Sequence, residues 1–140
     1  MDQALIDHLL NDAPLRALAP DGVFWEEAGA SMATGGNSTQ FVIVSLVDEV
    51  DEPMFGGRAW EDGLYLVKFV ELSSVAVKNI RAGAARLDVL LDLASLTIAG
   101  YALMLLRREA RIRFTEVDET DSSIRWQHRG GHYRLMAAPV

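Results

Sequence analysis

The stretch IRWQHRGGHYRL, residues 124–135, decides how many strands the chain has and where it turns. It holds two of the three histidines, one of the three tryptophans and the pair Gly130-Gly131. On a helix, His128 and His132 would share a face and could grip one metal ion. In a disordered tail, repeated Arg-Gly-Gly would stack on RNA. Here Arg-Gly-Gly occurs once, and the third histidine, His8, lies at the other end of the chain. Residues 124–128 and 132–136 are both strand-like, and glycines between two such runs allow the positive φ of a tight turn. The stretch is therefore expected to be a C-terminal β-hairpin.

Working back from it, DETDSS (118–123) is a polar turn, and RIRFTEV (111–117) and YALMLL (101–106) read as two separate strands. Before them, Ile80, Ala84, Leu87, Leu91 and Ala94 recur at intervals of three and four from Val77 onward, with Ser73 and Ser74 as N-cap candidates. This predicts one long helix. Gly83 inside it costs about 1 kcal/mol relative to Ala, which suggests that another backbone approaches closely there. LYLVKFVEL (64–72) alternates as a strand. FVIVSLV (41–47) is apolar enough for a strand buried on both faces, or covered by a helix on one and a partner on the other.

Between these two strands, DEVDEPMFGGRAWEDG (48–63) carries six carboxylates, a proline and adjacent glycines, and reads as a long charged loop. AGASMATGGNST (28–39) has no periodicity and reads as a mobile loop. At the start, Leu5, Ile6, Leu9 and Leu10 follow Asp2 and end before Pro14. A short helix over 2–11 is expected, then a further turn at 15–18 and a short strand at 23–25. The expected fold is a single domain, 1–140, of class α+β: a mostly antiparallel sheet with one long helix packed on a face, a short N-terminal helix and a C-terminal β-hairpin.

At 140 residues and half apolar, the chain can bury one core unaided. It contains no cysteine, so disulfides, thiolate metal sites and a cysteine nucleophile are excluded. Neither a signal peptide nor an apolar run near the ~20 residues of a membrane helix is visible, and an intracellular, membrane-free protein is expected. The net charge of −7 argues against a general nucleic-acid coat. Its distribution is uneven: residues 1–63 carry 12 acidic and 2 basic side chains, residues 64–140 carry 8 and 11. Such asymmetry suits complementary surfaces between copies or partners.

Reactive constellations are missing. GGNST (35–39) lacks the lysine of a phosphate loop, Ser31, Ser38 and Ser45 have no nucleophile-elbow setting, and DEVDEP lacks the ligand spacing of a calcium loop. No enzymatic activity, cofactor or metal is expected.

In the order of its elements the chain resembles the tail-completion or tail-terminator proteins of long-tailed bacteriophages and phage-like gene transfer particles. The resemblance runs through LNDAPLRALAPDGVFWE, FVIVSLV, LYLVKFVEL, VAVKNIRAGAARLDVLLD and RWQHRGGHYRL, with Trp126, His128, Gly130, Gly131 and Tyr133 matching the family's closing strands. It implies a structural virion protein, not an enzyme. Such a protein forms a homo-oligomeric ring, usually of six copies, at the head-proximal end of the tail tube. There it stops tube polymerisation, meets the tail tube protein and the head-tail connector or stopper protein, and lets DNA pass through its lumen. The location implied is the virion tail, reached by assembly in the host cytoplasm.

A ring closed head to tail needs two unlike, complementary surfaces on each copy. The candidates are acidic Asp48, Glu49, Asp51 and Glu52 against basic Arg107, Arg108, Arg111 and Arg113, with Phe55, Trp60 and Trp126 as apolar anchors. The competing reading is a small acidic protein-binding or regulatory module.

Overall fold

The computed structural model describes residues 1–26, 40–73 and 79–140. In chain order the elements are α1 (Asp2–Leu10), α2 (Ala13–Leu18), β1 (Val23–Trp25), β2 (Gln40–Met54), β3 (Gly57–Leu72), α3 (Ile80–Leu91), β4 (Tyr101–Val117) and β5 (Arg125–Pro139). The strands form one sheet in the order β1-β2-β3-β5-β4; β1 runs parallel to β2 and every other neighbouring pair is antiparallel. The expected 28–39 loop, Ser74 and Val77 fall outside the described residues.

The expected class is overturned. The described residues are mostly β, 55% strand against 22% helix, with three short helices and no long helix packed on a sheet face. Three stretches account for the difference. First, α3 spans 12 residues, starting at Ile80. The carboxylate of Glu71, wholly buried, accepts the Asn79 N–H at 3.0 and 3.2 Å and so takes the place of a side-chain cap at the helix entrance. At the other end Asp92 is extended and Leu93 has φ 56°, and the Leu93 N–H donates to the Leu106 carbonyl, pulling the chain back to β4.

Second, the charged stretch 48–63 is hairpin, not loop. Its two strands pair from Gln40↔Glu71 out to Met54↔Gly57, with bulges at Leu46/Asp48 and Glu52/Pro53. Only Phe55 and Gly56 are left for the turn, where Gly56 takes φ 87°, the positive value a type II turn requires at its second central residue. Third, Gly130-Gly131 is no turn. β5 runs straight through it, and the two runs read as separate strands in 101–117 join into β4, which pairs with β5 along its length through bulges at Leu103/Leu105 and Arg108/Ala110. The glycines serve closeness instead: a Cβ on Gly130 would lie 2.0 Å from the Val67 carbonyl oxygen, and one on Gly131 2.6 Å from that of Ala110. The true C-terminal hairpin is β4-β5, closed by 118–124. Its turn and the β2-β3 turn lie at opposite ends of the sheet, since β3 pairs with β5 from Glu61↔Ala137 to Leu72↔Trp126.

The helices gather on one face. Leu5, Leu9 and Leu15 from α1 and α2, and Leu87 and Leu91 from α3, pack on Val42, Val44, Tyr65, Val67, Phe69 and Leu135. Each such side chain, fully buried, contributes ~1.5–3 kcal/mol. Gly83 lies directly over the Phe69 ring, 2.3 Å from a built Cβ, so the close approach predicted there is by a ring, not a backbone. Two buried phenols pin helices to sheet: Tyr65 Oη donates to Asp2 Oδ1 and Tyr133 Oη to Asp88 Oδ1, each at 2.5 Å. The opposite sheet face carries a smaller cluster of Phe41, Ile43 and Val70, with Phe24 and Trp126 against it.

Candidate interaction surfaces

The outer half of the β2-β3 hairpin is an arm. β1 pairs only with residues 42–44 of β2, so beyond Leu46 the outer side of β2 has no neighbouring strand among the described residues. Strand alternation, shifted by the bulge at Val47, puts Glu49 and Asp51 on the helix side and Asp48, Val50 and Glu52 on the other. Charges along an unpaired strand edge also discourage indiscriminate edge-to-edge pairing. Asp51 is 3.2 Å from Arg58, which also holds Glu61 at 2.6 Å. Glu61, bonded first by the Tyr101 hydroxyl and then by Arg58, keeps its carboxyl below the usual range. Asp48, Glu49 and Glu52 have no ion-pair partner among the described residues. At the tip Phe55 is fully exposed, flanked by exposed Met54. Trp60 lies opposite Glu52, half-buried.

The four arginines of β4 do not form one surface. Arg107 points to the face away from the helices, opposite Arg134, whose guanidinium is held by Glu109 at 2.5 Å and Asp62 at 2.6 Å. That pairing raises the affinity of Arg134 for its proton and holds the Glu109 carboxyl low. Arg108 lies on the helix side and is an internal tie. Its guanidinium meets Asp88 at 2.7 Å, and its N–H donates to Asp92. Arg111, mostly exposed, reaches the same Asp88 at 3.7 Å.

Arg113 is different. It sits directly opposite Arg129 on β5, and together with Arg81 of α3 they line a groove of about 290 Å³ between α3 and the far half of β4-β5, over Ala84 and Ala85. Arg81, Arg113 and Arg129 make no ion pair with any described residue. Sequence reasoning placed Arg129 in a turn and left Arg81 out; only the β4-β5 register brings them to Arg113. Asp88, the acceptor shared by Arg108, Arg111 and Tyr133, was likewise invisible as a hub.

On the opposite face, Trp126 packs edge-on against Phe41, centroids 5.7 Å apart, and is thus part of the small cluster and not a free anchor. His128 stacks on Phe114 at 4.3 Å and its Nε2 lies 2.9 Å from Glu116. Burial and the Lys68 charge lower the imidazole's proton affinity, against the pull of Glu116. His132 is four residues along the same strand, ~13 Å at 3.3 Å per residue, too far to share an ion with His128. Among the described residues no three His, Asp or Glu side chains gather as metal ligands, and no helix is long and apolar enough to cross a membrane.

The fold is similar to that of a chain in the virion of a native gene transfer agent (GTA) particle, with TM-score 0.65 and 19% sequence identity, covering 99% of this chain and 94% of that one. A second solved chain has TM-score 0.53 and 15% identity over 99% and 89%. No protein-family model and no curated protein matches the sequence. At such identities the likeness is one of fold.

Proposed function

We propose that this chain is a structural protein of a phage-like particle. In the finer reading it closes into a ring, of six copies, at the head-proximal end of the tail tube, ends tube polymerisation and meets the head connector. The observation that carries the reading is the likeness in fold to a chain of a gene transfer agent virion over nearly the full length of both. The surface agrees with it: unlike charges stand at separate places on one subunit, as a heterologous contact needs, and the exposed Phe55 offers an apolar anchor. Acidic side chains facing the lumen would keep passing DNA from sticking.

Mass photometry of the purified chain, alone and with its tail tube protein, tests this. The expected species is a multiple of the 15.4 kDa subunit, six-fold in the finer reading, and deletion should leave tails of unregulated length. A monomer under both conditions, with tail length unchanged on deletion, overturns it.

A further inference from the structure

The two cross-strand arginine pairs of β4-β5 are treated in opposite ways. Arg107 and Arg134 face each other with Glu109 and Asp62 set among them. Arg113 and Arg129 face each other without an ion pair, and Arg81 adds a third positive charge from α3; the carboxylate that lines the same groove, Asp88, is taken up by Arg108, Arg111 and the Tyr133 hydroxyl. Like charges directly opposite on a sheet destabilise it, so an uncompensated trio calls for an anion from outside the subunit. The groove floor of Ala84 and Ala85 leaves room for one to enter.

The subunit carries the matching groups but cannot bring them there. Arg129 lies level with Phe69 on β3, whereas Glu49 lies level with Gly63 and Glu52 with Trp60. The offset is roughly 20–30 Å at about 3.3 Å per residue, beyond the reach of any side-chain pair. We infer that the acidic β2-β3 arm of one copy presents the free edge of β2 to the arginine groove of the next, so that the unpaired carboxylates Glu49, from one face of that edge, and Glu52, from the other, meet Arg81, Arg113 and Arg129. This rests on the ring reading and specifies its contact. It replaces Arg107 and Arg108 as the basic surface, because Arg108 is held by Asp88 at 2.7 Å within its own subunit and Arg107 lies on the face away from the groove. A second copy fits better than a nucleic acid, since the net charge of −7 opposes the approach of a long polyanion to the subunit as a whole, while the acidic arm of another copy brings its carboxylates to the groove alone.

The test uses two charge-reversed full-length chains, Arg113→Glu with Arg129→Glu and Glu49→Arg with Glu52→Arg, each checked for wild-type circular dichroism. Each alone should lose at least tenfold in ring population, and mixing them should restore it, because alternating copies re-create opposite charges at every contact. In the naturally cysteine-free chain, Glu49→Cys with Arg113→Cys should oxidise to crosslinks between copies and none within one. If wild-type rings form but the groove variant assembles equally well and the cysteines stay reduced, this contact is wrong and the ring stands. If the wild type never forms a ring, both readings fall.

Discussion

A methyl group at Gly130 would press into the peptide between Val67 and Lys68, with contacts of 2.0 and 2.6 Å to backbone atoms that cannot step aside. Gly130→Ala should therefore cost at least the ~1–3 kcal/mol typical of overpacking, read as a lower denaturation midpoint with an unchanged m-value. Gly56→Ala, with open space around it, should cost only about 1 kcal/mol for its positive φ. The same residue type thus does two jobs, and the letters cannot tell them apart. "Gly-Gly" was legible as special, but whether glycine supplies a turn or clearance depends on which strand lies alongside. Titration belongs at this scale too. Arg86 holds the Asp12 carboxyl below its usual range through bonds at 2.6 and 2.8 Å. A depressed carboxyl stabilises above the unfolded value, about 4, and that contribution is lost as pH falls through the folded value. Asp12→Asn should flatten the acid limb of the stability profile. His128 is also lowered, so the fold gains from its neutral form above about pH 6.5 and loses that gain as pH drops below it; His128→Gln should remove the slope there.

Among the elements, α1 and β1 lie within a residue of where the apolar spacing put them, α2 starts two residues earlier than expected with Pro14 inside its first turn, and the alternation in 64–72 marks the inner and outer faces of β3 correctly. The arm was not legible. Asp48, Glu49, Asp51 and Glu52 are poor strand formers, yet Val47, Val50 and a two-residue turn at Phe55-Gly56 keep the ladder going well past the core. Likewise Arg108 to Ala110 hides a bulge, which joins what looked like two strands and brings Arg108 and Arg111 onto one face, while plain alternation leaves Arg107 on the other. Because the arm's tip touches no core, Phe55→Asp should leave monomer stability within ~0.5 kcal/mol while weakening assembly, as seen by comparing thermal unfolding with mass photometry.

At the scale of the molecule, the sum of the charges excluded little, but their separation between the halves of the chain survives folding as separation in space. The acidic arm leaves one end of the sheet, and the arginine groove lies toward the other. Contacts made through such exposed charges are screened by salt, so assembly should weaken as ionic strength rises from 0.05 to about 0.5 M, while the monomer's unfolding midpoint changes little; sedimentation across a salt series would check this. What could not be read from the letters is the strand order. Placing β5 between β3 and β4 sets Arg113 against Arg129, and no local pattern announces that neighbour.

The two hairpin turns leave the sheet in opposite directions, 55–56 at one end and 118–124 at the other. A subunit built this way has no top-to-bottom symmetry, so any circle of identical copies would possess two chemically distinct rims. Whatever docks on one rim would find nothing equivalent on the other, and growth of a stack would be vectorial.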